Sequence, residues 1–204
     1  MTRRSYPKGL AKREEILATA LEVIAEHGFS GATLRELADA SNLSITGLVH
    51  HFGTKEGLFT EVLRRRDEID ADAYETDRLP ETTAAMIERL ASVADRNTAV
   101  PGLVTLYANL AADATAPEHP SHEYFRERYD RSRDLGRDSL SRLQERGELP
   151  ADVDPGDLAQ LMIAAVDGLQ LLWQYDKSID MTRALRSLGL LLKLAGEGVR
   201  GTDE

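Results

Sequence analysis

Residues Thr33–Leu58, TLRELADASNLSITGLVHHFGTKEGL, decide how this chain is read. Thr33 is suited to cap a helix, and Glu36 completes a capping box with it. Leu34, Leu37 and Ala38 then supply one apolar face at i, i+3, i+4. The pattern breaks at Ser41-Asn42, and Ser44 is available to cap a second helix. Leu48 and Phe52, one helical turn apart, give that second helix its buried side. A helix, a short break and a second short helix form the helix-turn-helix signature, whose second helix enters the major groove of DNA.

Such a unit is too small to fold alone, and a supporting helix lies just upstream, over residues 10–27. Ile16, Leu17, Ala20, Leu21, Ile24 and Ala25 fall at helical spacing. Gly28 is expected to end this helix in the left-handed conformation. Residues 1–9 lack periodicity and carry Arg3, Arg4 and Lys8. They suit a basic arm touching phosphates or a minor groove, and equally an ordinary solvated terminus.

Residues 10–59 resemble the DNA-binding domain of the TetR/AcrR family of ligand-responsive transcriptional repressors. The resemblance rests on the order of parts: a long first helix ending in Gly28-Phe29, Thr33 opening the second, and Leu43-Ser44 at the turn. Leu48-Val49-His50-His51-Phe52 on the third helix and Lys55-Glu56-Gly57-Leu58-Phe59 opening the fourth complete it. Three positions depart from the family pattern. Asn42 stands where a glycine is usual, Thr46 where glycine or alanine is, and Val49 where an aromatic is. The family's tyrosine at the Val49 position commonly contacts a phosphate, so the resemblance shifts that work toward His50 or Thr46. It also implies that the fourth helix is the lever joining a DNA-reading head to a sensing domain.

Charge distribution agrees with this division. The chain of 204 residues carries a formal net charge of −10, yet residues 1–66 sum to +2 and the remainder to −12. Phosphate contacts are screened beyond about 10 Å at ordinary salt, so the local sign matters. The absence of cysteine excludes a disulfide scaffold and thiolate chemistry. No apolar run approaches about 18 residues and no signal-peptide pattern opens the chain, so a soluble, cytoplasmic protein without a membrane partner is expected.

Residue chemistry assigns roles within the head. Thr33 offers a hydroxyl and free backbone N–H groups to a phosphate. Arg35 suits a phosphate or a guanine edge, against a bland pairing with Glu36 or Asp39. Ser44, Ile45, Thr46 and Gly47 open the recognition helix and are expected to face base edges. Ile45 suits a thymine methyl, and Gly47 permits close backbone approach. His50, His51 and Lys55 are candidates for phosphate contact, one histidine being equally suited to packing or capping. Leu48 and Phe52 are read as core. The triplet Arg64-Arg65-Arg66 reads as a solvated face.

Prolines punctuate the rest into helices expected near 81–97, 101–115, 119–147, 154–175 and 181–197. The fold class is all-α: a helix-turn-helix domain over residues 1–54 and a helical ligand-sensing and dimerisation domain over residues 55–204. Two apolar stripes mark the penultimate helix: Leu158, Leu161, Met162, Ala165, Leu169 and Leu172 form one, and Ile163, Val166, Gln170 and Trp173 the other. The last helix, with Leu185, Leu188, Leu190, Leu191, Leu192 and Leu194, is apolar almost all round. Helices apolar on most sides need burial on most sides, which points to a homodimer. The family dimerises in this way, and a two-fold protein suits an inverted, palindromic operator of double-stranded DNA.

Met86, Leu103, Tyr107, Tyr124, Phe125, Tyr129, Met162, Leu169 and Trp173 suit an apolar effector cavity with phenolic hydroxyls for orientation, or equally an ordinary core. Only the resemblance favours a small-molecule effector site. His119 and His122, with Glu118 and Glu123, have no third ligand at matching spacing, so no metal is expected. No cofactor is implied. G-x-S-x-G, Gly-rich phosphate loop and H-E-x-x-H motifs are absent, which argues against an enzyme. A same-fold activator, or a regulator answering to a protein partner, stays open beside the repressor.

Overall fold

The computed structural model describes residues 6–73, 80 and 82–200. All regular structure among them is helical: α1 (Tyr6–Gly31), α2 (Leu34–Ala40), α3 (Ile45–Phe52), α4 (Lys55–Ala73), α5 (Thr83–Ala99), α6 (Pro101–Asp113), α7 (His122–Glu145), α8 (Pro155–Tyr175) and α9 (Met181–Arg200). Arg3 and Arg4 of the expected basic arm lie outside the described residues, as does the side chain of Lys8. The chain forms two compact units by packing, one within Met1–Asp70 and Val100–Tyr124, the other within Ala71–Ala99 and Phe125–Glu204.

In the first unit, Ile16, Leu17, Ala20, Val23 and Ile24 form the buried stripe of α1. α1 packs against α2 and α6, and Leu37 and Ala38 of α2, Leu48 of α3, Leu58, Phe59, Val62 and Leu63 of α4, and Val104 and Leu106 of α6 are buried in the same unit. α1 starts earlier than expected, and its end differs from the expected left-handed cap. Gly28 does take a positive φ, 72°, but with ψ 173°, so it breaks the helix in an extended conformation before helical turns resume to Gly31. A side chain is strained at that φ, and the break brings Gly28 beside α6. A Cβ on Gly102 would lie 3.1 Å from Gly28 Cα and 2.2 Å from the Ile24 carbonyl oxygen.

The second unit has its core at Met86, Ile87, Leu140, Leu143, Leu149, Leu158, Ala159 and Met162, with Leu90, Val153, Leu188 and Leu192 packed against it. Helix starts follow from local chemistry. Asp154 caps α8 by accepting from the Asp157 N–H, with Pro155 in the first turn. α5 is capped from a distance, the Glu148 carboxylate accepting from the Thr83 N–H at 2.9 Å and hydroxyl at 3.2 Å.

α7 begins at His122 rather than 119, because both histidines serve the preceding turn. The Ser121 N–H donates to His119 Nδ1 at 3.1 Å, and His122 Nδ1 lies 2.8 Å from the Ala114 carbonyl, the C-cap of α6. A carbonyl only accepts, so His122 carries its proton on Nδ1. Among the described residues no group of three or more His, Asp or Glu side chains is placed to hold a metal ion, and no helix is long and apolar enough to cross a membrane.

Candidate nucleic-acid interface

The head is built from two capped helices. Thr33 and Glu36 form the full capping box: Thr33 Oγ1 accepts from the Glu36 N–H at 3.2 Å, and the Glu36 carboxylate accepts from the Thr33 N–H at 2.9 Å. The Thr33 hydroxyl also donates to that carboxylate. These bonds hold the Glu36 carboxyl below its usual range, the backbone N–H of Thr33 contributing most. Arg35 is exposed on α2.

The turn between α2 and α3 depends on Asn42, the one described non-glycine residue at positive φ, 53°. That is the left-handed region, where asparagine is among the least strained side chains. Asn42 therefore fills the conformational role of the glycine usual in the resembled family. Ser44 then caps α3, its hydroxyl accepting from the Gly47 N–H at 3.0 Å.

α3 buries Leu48 and turns Ile45, Thr46, Val49 and His50 to solvent, with Ile45 45% exposed. Gly47 and His51 are half-buried. Phe52, expected in the core, is half-buried beneath the Arg13 guanidinium, 4.5 Å from its ring centroid. Sequence reasoning passed over Arg13 and Lys12 of α1, which secure the ends of both head helices. Arg13 donates to the His51 carbonyl at 2.7 Å and pairs with Glu61 of α4 at 2.9 Å; Lys12 donates to the Ser41 carbonyl at 3.2 Å. Cations belong at helix C-termini, where carbonyls are left without helical partners.

The junction from α3 to α4 is tight. Thr54 caps α4 by accepting from the Gly57 N–H at 3.0 Å, and a Cβ on Gly57 would lie 2.3 Å from the Phe52 carbonyl oxygen. Lys55 stands in the first turn of α4, its ammonium 5.2 Å from the Phe59 ring centroid. The basic triplet is paired: Arg64 with Glu61, Arg65 with Glu14 and Glu68, Arg66 with Asp70.

The residues expected around an effector divide between the two units. Leu103, Tyr107 and Tyr124 are buried in the first, and Tyr124 donates its hydroxyl to Asp67 at 2.8 Å. Met86, Phe125, Tyr129, Met162, Leu169 and Trp173 belong to the second, where Met86 and Met162 sit in the core cluster. Tyr129 donates to Asp167 at 2.7 Å and lines an open groove of about 460 Å³ between α7 and α8, shared with Arg126, Arg133, Gln160 and Ile163. The Lys177 ammonium lies 3.4 Å from the centroid of the buried Trp173 ring, and burial lowers its pKa.

This arrangement can be compared with known proteins. The model for bacterial regulatory proteins of the tetR family matches residues 16–62, and that for the C-terminal part of BetI-type transcriptional repressors matches residues 86–189. The HTH-type transcriptional repressor AcnR of Corynebacterium efficiens is 38% identical over 81 residues, 40% of this chain and 43% of the relative. The matched stretch thus spans about two fifths of that curated relative's length. Among solved structures, a TetR-family regulator from Pectobacterium atrosepticum superposes with TM-score 0.72 at 20% identity, covering 93% of this chain and 96% of the other. A regulator from Saccharomonospora viridis in complex with choline gives TM-score 0.66 at 22% identity, covering 88% and 94%. With more than half of its residues matched by the second model, and a capped helix-turn-helix under the first, this chain belongs to the TetR family of bacterial regulatory proteins.

Proposed function

We propose that the protein is a ligand-responsive, sequence-specific transcriptional repressor that binds a palindromic operator as a homodimer. The observation that carries this reading is the presentation of α3: capped at Ser44, anchored by Leu48, and exposing Ile45, Thr46 and His50 on its open face. Residues 1–54 form the DNA-reading part, with Thr33, Arg35, His50 and His51 on phosphates and Ser44, Ile45, Thr46 and Gly47 toward base edges, and Lys55 at the start of α4 adds a phosphate contact from just beyond it. Residues 55–204 sense the effector and dimerise. The name of the curated relative, a repressor, supports this choice over an activator.

Dimerisation is supported by the apolar faces that α8 and α9 leave open. Leu161, Leu171, Leu172 and Tyr175 are exposed on α8, and Leu190, Leu191 and Leu194 on α9. Large apolar side chains left in water on two successive helices suit an interaction surface. A fold that holds choline in the S. viridis regulator supports a small organic molecule as effector class. Effector binding drives release if it favours the arrangement of heads that fits the operator less well.

The test is selection of genomic fragments by the purified full chain, followed by footprinting of the best-bound fragment. Two protected half-sites related by a dyad and centred about one helical turn apart are expected. A chain that enriches no fragment overturns the reading.

A further inference from the structure

α4 is tied to the α6–α7 connection by two polar contacts, one buried and one partly buried. The Thr60 and Ser121 hydroxyls are hydrogen bonded at 2.7 Å, and both residues are buried, Ser121 completely. Two turns along α4, Asp67 accepts the Tyr124 hydroxyl at 2.8 Å, with Tyr124 only 4% exposed. Between them the Arg64 guanidinium lies 5.2 Å from the Tyr124 ring centroid. Positions 60, 64 and 67 follow the i, i+4, i+7 spacing of one helix face.

We propose that Ser121 and Tyr124 are positioning residues for DNA binding, acting as a latch that sets α4 and, through the tight α3–α4 junction, the recognition helix. The inference rests on the functional reading above. Three features make these contacts a latch rather than incidental packing. The Thr60–Ser121 bond is buried and the Tyr124–Asp67 bond partly so, the latter with a carboxylate as acceptor, so each is worth more than an exposed neutral one and costs more to leave unmade. Both join segments more than fifty residues apart, 61 for the first pair and 57 for the second. Their far ends are themselves fixed: His119 holds the Ser121 N–H, and His122 closes the same turn on Ala114. This gives the two histidines a role, since they hold the connection that carries the latch. Freeing α4 leaves the head folded but widens the range of positions it must give up on binding, which lowers affinity without removing any phosphate contact.

The experiment measures binding of the full chain to the best-bound fragment from the genomic selection, at several salt concentrations. The variants are Tyr124→Phe, Ser121→Ala, Asp67→Asn and the Tyr124→Phe/Asp67→Asn double. Circular dichroism establishes that each is folded at the assay temperature. Tyr124→Phe and Asp67→Asn are each expected to weaken binding about tenfold, the scale of one hydrogen bond to a charged group. The double should lose no more than the worse single, because the pair acts as a unit. The slope of log K against log salt should match wild type, which separates positioning from lost phosphate contact. Should Tyr124→Phe fail to fold, Asp67→Asn and Ser121→Ala probe the same latch from its other members.

Folded variants with wild-type affinity, additive losses in the double, or a shallower salt slope would overturn the latch and leave the functional reading standing. A wild-type chain that enriches no DNA overturns both.

Discussion

The Arg13 guanidinium donates to the backbone carbonyl of His51 at 2.7 Å, so a residue of the supporting helix closes the C-terminal end of the recognition helix. The same side chain lies over Phe52 and pairs with Glu61, joining α1, α3 and α4 at one point. The exposed face of α3 is therefore oriented from behind by a residue that faces no base.

Replacing Arg13 by Ala should destabilise the protein by about 1–3 kcal/mol, since a charged donor, a ring contact and a half-exposed ion pair are lost together. Lysine should recover less than half of this, because one ammonium cannot reproduce a fork that serves a carbonyl and a carboxylate at once. Urea unfolding of the three proteins checks both statements.

At Asn42 the backbone sets the expectation. Asn42→Gly should fold at least as stably as wild type, whereas Asn42→Val should lose about 1–2 kcal/mol, because a β-branched side chain is strained at a φ of 53°. Thermal unfolding separates the two outcomes.

The capping box gives a pH dependence of defined sign. The Glu36 carboxyl is held below its ordinary value of 4.5, so its contribution to stability is complete above that value and is lost as pH falls through the lower, folded-state value. The Glu88 carboxyl, lowered chiefly by its hydrogen bond from Arg186, acts in the same direction. Glu36→Gln should flatten the acid side of a stability–pH profile measured by urea unfolding between pH 3 and 6, and should leave the neutral side unchanged in slope.

Much of this was legible in the sequence because it is local. Caps at Thr33 and Ser44, and prolines at the starts of α6 and α8, act on their own next turn, and the helices begin there. What escaped is long-range. Arg13 meets His51 across 38 residues, and Lys12 meets Ser41 across 29, contacts that exist only once α1 has packed on the head. Gly28 shows the limit of a local rule: its positive φ was expected, but its ψ is extended, it packs beside Gly102, and the helix resumes over the three residues that end at Gly31. No role for His119 and His122 was legible in the sequence, because their partners, the Ser121 N–H and the Ala114 carbonyl, are set by how the turn closes.

The open apolar faces carry a prediction of assembly. Leu172 and Leu191 are 55% and 65% exposed. Leu172→Arg and Leu191→Arg should each shift the protein toward monomer in sedimentation equilibrium and weaken operator binding. A monomeric wild-type protein would contradict the proposed homodimer.

The most direct test of α3 as the reader of DNA is selection from a random duplex library, with sequencing, by wild type, Ile45→Ala, Thr46→Ala and Lys55→Ala. The account predicts that the Ile45 and Thr46 variants change which bases are enriched, each contact being worth about 1–3 kcal/mol of discrimination. Lys55→Ala should keep the wild-type preference while binding every sequence more weakly, with a shallower salt dependence. An identical enriched sequence at undiminished affinity for all four proteins would contradict it.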